Sequence, residues 1–258
     1  MSAQSIETGF LPHEIDRFRH EGYVIVQGLA PDATRQRMLE VARVQLAAAL
    51  APLEYESDIQ YPGAPVSHDA AGGRTVRRLL RACERDPVFN AWATSPRLAQ
   101  HLRKLLGSRV ALSQAHHNCI MTKDPRYSSV THWHRDIRYW AFERPELASV
   151  WLALGAEREE NGCLRVLPGS HTIEVRPEQL DAAQFLRSDL DENHAMLATQ
   201  VAVELEPGDV LFFDARLFHA AGHNRTEETK LSVVFTYHAG DNHALTGTRS
   251  ASVGDVLL

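Results

Sequence analysis

The residues of this sequence that are best suited to bind a metal ion lie in the stretch at 128–140 and at position 219. His134 and Asp136 are two positions apart, so on a strand or at a strand end their side chains point to the same face. His219 follows far along the chain and is placed to supply a third ligand. Two imidazoles and one carboxylate on one face, with coordination positions left open, suit a non-heme Fe(II) site.

A pair of the type His-x-Asp is weak evidence by itself, because the chain has 14 histidines among its 258 residues. His132 lies two positions before His134 and shares its face if the segment is a strand. It therefore competes with His134 as a ligand. Its alternative role is to support the metal site or to form part of a pocket wall.

Five motifs in a fixed order make the pattern specific. They are Trp-His-Arg-Asp at 133–136, Val-Trp-Leu-Ala-Leu at 150–154, Asn-Gly-Cys-Leu-Arg-Val-Leu-Pro-Gly-Ser-His at 161–171, Pro-Gly-Asp-Val-Leu-Phe-Phe-Asp at 207–214 and His-Ala-Ala-Gly-His-Asn-Arg-Thr at 219–226. With these motifs the sequence resembles the phytanoyl-CoA dioxygenase family of Fe(II)- and 2-oxoglutarate-dependent oxygenases, from about residue 10 to residue 238.

The resemblance implies Fe(II) as the metal and 2-oxoglutarate as co-substrate, with His134, Asp136 and His219 as the ligands. The expected reaction is hydroxylation of an unactivated C–H bond of a small molecule, which consumes O2 and releases succinate and CO2. A carboxylate at Asp136 argues against a halogenase, whose relatives leave that ligand position empty for chloride. The alternative is a non-catalytic or metal-repurposed member of the fold: a binding protein, or an isomerase or hydrolase that uses another divalent metal.

The residue that binds the distal carboxylate of 2-oxoglutarate departs from the family pattern. The family usually has an arginine eleven residues after the last histidine, and this sequence has Lys230 there. A lysine offers one ammonium group where an arginine offers a bidentate fork, yet it still pairs with a carboxylate. Arg225, six positions after His219, is the competing candidate, and its alternative role is that of a solvated turn residue.

Further candidates surround the predicted site. The resemblance places three other residues near the co-substrate: Trp151, Cys119 and Arg135. Trp151 is otherwise a core tryptophan, and Arg135 is otherwise an ion-pair residue. By alternation along the predicted strand at 109–121, His117, Cys119 and Met121 share one face, while His116 and Asn118 share the other. The candidates on the substrate side are Arg138, Tyr139, Trp140, His117 and His132; Arg138 either holds an anionic group or lies along the surface.

The composition is that of an ordinary globular protein, with 44% hydrophobic and 23% charged residues. A net charge of −6 argues against a nucleic-acid-binding surface. The sequence has no apolar run of membrane-spanning length, and its first residues are not expected to be a secretory signal. Three scattered cysteines, Cys83, Cys119 and Cys163, do not form a disulfide framework, so a reducing cytoplasm is expected. The sequence leaves the oligomeric state open.

The predicted fold is mainly β with a helical N-terminal layer, a double-stranded β-helix of the jelly-roll or cupin-like type, as the resemblance also implies. A single domain at 1–258 is expected, in which residues 1–107 are mostly helical support and residues 108–240 form the jelly-roll core. Helical periodicity predicts helices near 32–50, 75–85 and 96–106. A helical insert at about 172–198 interrupts the strands, which are short and separated by turn signals.

The segment at 51–74 is rich in Pro, Gly and Asp and has no periodic pattern, so we predict that it becomes ordered over the pocket when ligands bind. Hydrogen exchange of this segment should slow on addition of 2-oxoglutarate and substrate. Equal exchange with and without these ligands would argue against a lid.

Overall fold

In the computed structural model of the protein, residues 9–59, 61 and 63–258 are described. The start of the chain, expected not to be a secretory signal, and two positions of the predicted lid at 51–74 lie outside these residues. The helices are α1 (Pro12–Glu21), α2 (Asp32–Ala47), α3 (Ala82–Arg85), α4 (Pro87–Ala93), α5 (Pro96–Leu106) and α6 (Asp191–Leu197). The strands are β1 (Tyr23–Val26), β2 (Leu53–Tyr55), β3 (Val76–Leu80), β4 (Val110–Lys123), β5 (Thr131–His134), β6 (Leu147–Ala153), β7 (Leu164–Val166), β8 (Val201–Ala202), β9 (Val210–Asp214), β10 (His219–Ala221), β11 (Lys230–Ala239) and β12 (Val256–Leu257).

Two antiparallel sheets face each other, as the predicted jelly roll requires. The larger sheet has eight strands in the order β1-β9-β6-β11-β4-β3-β2, with β12 paired to β4. The smaller sheet has four strands in the order β5-β10-β7-β8. The prediction of a mainly β, cupin-like fold is confirmed.

The alternation of side chains along the large sheet separates two apolar cores. On β6, Val150 and Leu152 face the helical layer, whereas Trp151 faces the smaller sheet. On β9, Phe212 and Phe213 divide in the same way. One face of the large sheet therefore packs against the helices, and its other face lines the space between the two sheets.

The helical layer follows the sequence prediction at two places. Met38 and Val41 of α2 are buried against the sheet. Helix α5 begins after Ser95, whose Oγ accepts a hydrogen bond from the backbone N–H of Leu98 at 3.3 Å, and it ends before Gly107. A side-chain oxygen at this position satisfies one of the free N–H groups of the first turn.

The helix predicted at 75–85 is wrong. Residues 76–80 form strand β3, which pairs with β4, and only Ala82–Arg85 is helical. The run Val-Arg-Arg-Leu-Leu consists largely of good helix formers, but Arg77 and Arg78 are drawn into the sheet by the carboxylates of Glu56 and Glu54. Residues 1–107 thus contribute three strands to the large sheet as well as their helices.

The insert at 172–198 is less helical than predicted. It contains α6, one 3-10 turn at Pro177–Gln179 and the end of another at Ser170–Thr172. Asn193 organises the segment from a fully buried position, because its side-chain amide donates to the carbonyls of Gln179 and Arg187. A membrane-crossing helix is not found among the described residues.

A buried ion pair fixes the chain just before β5. Arg77 Nη1 lies 3.3 Å from Glu56 Oε2, and Arg77 Nη2 donates to Thr131 Oγ1 at 3.0 Å. Glu56 also accepts hydrogen bonds from the backbone N–H and the hydroxyl of Ser129. Residues far apart in sequence therefore hold the strand that ends at His134.

We expect Glu56→Ala to lower the free energy of unfolding by roughly 3 kcal/mol, because it removes the nearer of the two carboxylates beside the buried Arg77 guanidinium. The other carboxylate, Glu54, lies 3.9 Å from Arg77 Nε. The matched control is Glu84→Ala, which removes an exposed partner of Arg81 and should cost less than about 1 kcal/mol. Urea unfolding of both variants checks this. Equal losses would show that the buried pair does not hold β5.

Candidate metal centre and the cavity beside it

Strand pairing brings together three potential metal ligands. His134 is the last residue of β5 and His219 is the first residue of β10, and the two lie opposite each other in the antiparallel ladder. Asp136 begins the 3-10 turn that follows β5. One donor atom from each residue lies within 4.8 Å of the other two, and all three residues are buried.

Both imidazoles present the same nitrogen to this centre. His134 Nδ1 bonds to the carbonyl oxygen of His132 at 2.8 Å, and His219 Nδ1 bonds to that of Leu217 at 3.0 Å. Because a carbonyl only accepts, each ring carries its proton on Nδ1 and leaves the Nε2 lone pair free. The Nε2 atoms of His134 and His219 lie 3.8 Å and 3.5 Å from Asp136 Oδ1.

The surroundings of His134 and Asp136 favour metal binding. Burial, and next the neighbouring His219, hold the pKa of His134 well below its usual range, so this ring is neutral. Asp136 Oδ2 accepts a hydrogen bond from Ser149 Oγ at 3.1 Å, which orients the carboxylate. Two imidazoles that present Nε2 and an oriented carboxylate are a donor set that fits a divalent iron ion.

A cavity of about 360 Å³ opens beside the three ligands, between the two sheets. Its wall includes apolar or neutral side chains from both sheets: Leu80, Cys119, Met121, Trp151, Leu164 and Phe213. Burial raises the pKa of the Cys119 thiol to about 11, so it stays protonated. Cys119, expected near the co-substrate, lies with Met121 on the face of β4 that lines this cavity.

Lys230 lines the cavity but already has a partner. Its Nζ lies 3.0 Å from Oε2 of Glu157, a residue with no exposed surface. Glu157 Oε1 accepts a further hydrogen bond from Trp151 Nε1 at 2.8 Å and another from the hydroxyl of Ser232. The lysine and tryptophan expected beside the co-substrate are thus joined by a carboxylate of the protein itself.

Aromatic and basic side chains line another part of the cavity, near Asp136. His117 Nδ1 lies 3.5 Å from Asp136 Oδ2, and its ring meets Trp140 edge to face. The hydroxyls of Tyr61 and Tyr139 are 2.9 Å apart, so the predicted lid reaches this wall. Arg249 also lines the cavity.

Several predicted site residues do not line the cavity. Arg135 turns away, since its guanidinium donates to the carbonyl of Ile173 at 2.7 Å and lies over the ring of Phe218. Arg225 is exposed in the loop between β10 and β11. The Arg138 guanidinium donates to the carbonyl of Ala183 at 2.7 Å and stacks on Phe185. His132 also lies outside the cavity wall. Its carbonyl accepts the hydrogen bond from His134 Nδ1, and its ring packs against Phe185.

Sequence reasoning missed several residues that line or support this cavity. Extending the alternation of β4 by two positions would have placed Lys123 on the inward face. His116 lines the cavity together with His117, because the ladder of β4 and β11 skips residues 114–117. Nothing in the sequence pointed to Glu157.

The family model for phytanoyl-CoA dioxygenase (PhyH) matches residues 18–232. The chain therefore belongs to the phytanoyl-CoA dioxygenase family. Human peroxisomal phytanoyl-CoA dioxygenase is 23% identical over 93% of this chain and 72% of its own length. The chain shares the family's enzyme class, that of Fe(II)- and 2-oxoglutarate-dependent dioxygenases.

Solved structures show the same fold. The ectoine dioxygenase EctD of Sphingopyxis alaskensis, solved with 2-oxoglutarate and 5-hydroxyectoine, superimposes with a TM-score of 0.76 at 22% identity, over 95% of this chain and 81% of its own. The 2-oxoglutarate-dependent epimerase SnoN from nogalamycin biosynthesis gives a TM-score of 0.71 at 26% identity, over 91% and 85% of the two chains.

Replacing any of His134, Asp136 or His219 by alanine should weaken Fe(II) binding more than about 100-fold, since loss of an outer-shell partner alone costs about 10–100-fold. Ser149→Ala should fall within that smaller range, because it removes only the hydrogen bond that orients Asp136. Anaerobic Fe(II) titration measures both effects, with the exposed His13→Ala as control. Undiminished stoichiometric binding by the three ligand variants would refute the metal centre.

Proposed function

We propose that this enzyme hydroxylates an unactivated C–H bond of a small molecule, using Fe(II) held by His134, Asp136 and His219. The observation that carries the proposal is the buried His-Asp-His cluster beside a cavity of about 360 Å³, a size typical of small-ligand sites. When bound, Fe(II) and 2-oxoglutarate would supply the activation of O2, with release of succinate and CO2.

The residues of the chain prepare the site for this reaction. The carbonyls of His132 and Leu217 fix the two imidazoles, so the metal would be held on one side and left open towards the cavity. The protonated Cys119 thiol does not compete as a thiolate ligand. Apolar side chains such as Phe213 and Leu164 line the cavity and would exclude water from reactive species.

The substrate is proposed to lie against His117, Tyr139 and Trp140. With the substrate in this position, the part of the cavity beside Lys230 is free to bind 2-oxoglutarate. Arg249 is exposed in this region and has no ion-pair partner among the described residues, so it is a candidate to receive an anionic or polar group. Arg138, expected to do so from the sequence, is already engaged with Ala183 and Phe185.

The two structural relatives support different outcomes of the same chemistry. EctD was solved with a hydroxylated small molecule, whereas SnoN is an epimerase. Epimerisation is therefore the second candidate. The non-catalytic binding role considered from the sequence is set aside, because the chain belongs to a family of dioxygenases. The expected cytoplasmic location stays a prediction, with which the three unpaired cysteines are compatible.

The experiment is to measure succinate made from 2-oxoglutarate by the iron-loaded protein in air, alone and with a panel of small molecules. We expect succinate from the wild type, increased by any molecule that fits the cavity and accompanied by a product heavier by one oxygen atom. Asp136→Ala should make none, whereas the exposed His13→Ala should match the wild type.

Three results are decisive. Absence of succinate from iron-loaded wild type under all conditions would contradict the enzyme activity. A product of unchanged mass that consumes 2-oxoglutarate would support epimerisation over hydroxylation. Equal succinate from Asp136→Ala and wild type would show that the reaction occurs elsewhere.

A further inference from the structure

The cavity has one more buried cation than its own carboxylates neutralise. Apart from Arg249 in the substrate region, four lysine and arginine side chains line the cavity. Three of them have a carboxylate partner: Arg77 with Glu56 at 3.3 Å, Arg78 with Glu54 at 3.0 Å and Lys230 with Glu157 at 3.0 Å. The fourth is Lys123, whose ammonium donates to the carbonyl of Ser129 at 2.8 Å and has no carboxylate partner among the described residues.

Lys123 and Lys230 lie opposite each other on neighbouring strands. They are cross-strand partners in the ladder of β4 and β11, and both line the cavity. Along β4, Lys123 continues the inward face of Cys119 and Met121. A ligand that reached Lys230 along this face would therefore also meet Lys123.

The charge of Lys230 is committed to Glu157. That carboxylate is fully buried and accepts hydrogen bonds from Lys230, Ser232 and Trp151. Withdrawing the ammonium from it would leave a buried carboxylate with only neutral donors, which is strongly unfavourable. Lys230 can still offer an N–H to a ligand, but its positive charge is already balanced.

From this charge balance we propose that Lys123, and not Lys230, supplies the unneutralised positive charge that binds the distal carboxylate of 2-oxoglutarate. This inference rests on the proposed function. It assigns Lys230 and Glu157 a positioning role: the pair fixes Trp151 and shapes the cavity next to the carboxylate.

The ionisation of Lys123 gives the inference a measurable signature. Its side chain is 6% exposed. Burial, followed by the charges of Arg77 on β3 and Lys230 on β11, lowers the pKa of this amine to about 7, while Glu56 opposes the shift. An incoming carboxylate favours the charged amine and raises its pKa.

Binding of 2-oxoglutarate should therefore take up a proton above about pH 7, where the free amine is neutral. As pH rises above the pKa of the Lys123 amine in the free protein, this amine must take up a proton when 2-oxoglutarate binds. The affinity for 2-oxoglutarate therefore falls as pH rises. The dissociation constant should rise by up to about tenfold per pH unit. Calorimetry in buffers of different ionisation enthalpy measures the uptake.

The direct test is calorimetric titration of 2-oxoglutarate into the Mn(II)-loaded protein. Lys123→Met should weaken binding by about 100-fold or more and abolish the pH dependence, while Mn(II) binding and the melting temperature persist. Lys123→Arg keeps a permanent charge, so it should bind without proton uptake. Lys104→Met, which removes an exposed lysine, is the control and should match the wild type.

A pair of double variants separates the two lysines. Lys230→Met/Glu157→Leu removes the ion pair without leaving a lone charge; it should weaken 2-oxoglutarate binding less than Lys123→Met does and should retain the proton uptake that accompanies binding. In Lys123→Met, adding Glu157→Gln frees the charge of Lys230 and should regain at least about tenfold in affinity. If Lys123→Met binds like the wild type and Lys230→Met/Glu157→Leu does not, Lys230 is the anchor and the inference is overturned.

Failure of the inference is distinguishable from failure of the proposed function. Wild-type protein that binds Mn(II) but no 2-oxoglutarate would contradict the function itself. Wild-type protein that binds 2-oxoglutarate with the same affinity and pH dependence as Lys123→Met would contradict only the role of Lys123.

Discussion

The register between β5 and β10 is the constraint on which the site depends. It sets His219 opposite His134, and the turn that begins directly after β5 brings Asp136 to the same point. A slip of one residue would turn a histidine to the opposite face of the strand. The pairing is supported from both ends, by the Arg77 and Glu56 cluster before β5 and by Phe218 N–H bonded to Ser170 Oγ before β10. The clustering of these three side chains is thus a consequence of strand packing rather than of flexible loops.

Buried charge is the second constraint, because each ion between the sheets needs a partner or must change its protonation. Different parts of the cavity meet this requirement in different ways. Glu157 neutralises Lys230, Asp136 faces two imidazoles, and Lys123 is left to be balanced by a ligand. The same imbalance that makes Lys123 costly in the empty cavity makes the cavity selective for an anion. Stability and recognition are therefore linked in one set of residues.

The sequence predicted the features that depend on local pattern. The strand predicted at 109–121 lies within about two residues of β4, and the ordered motifs pointed to the three clustered ligands. What it did not predict depends on contacts between distant residues. Strand β3 looked helical because the carboxylates that draw Arg77 and Arg78 into the sheet lie elsewhere in the chain. The partner of Lys230 lies 73 positions away, so its charge looked free. Arg135 looked close to the co-substrate, and only the folded chain shows it bonded to Ile173.

The most direct test of this account is a crystal structure of the protein with Mn(II) and 2-oxoglutarate, grown without oxygen. The account predicts Mn(II) bonded to Nε2 of His134, Nε2 of His219 and a carboxylate oxygen of Asp136. It also predicts the distal carboxylate of 2-oxoglutarate within hydrogen-bond distance of Lys123 Nζ, with Glu157 still bonded to Lys230 and Trp151. A metal bound by other residues, or a distal carboxylate that displaces Glu157 from Lys230 and leaves Lys123 without contact, would contradict it.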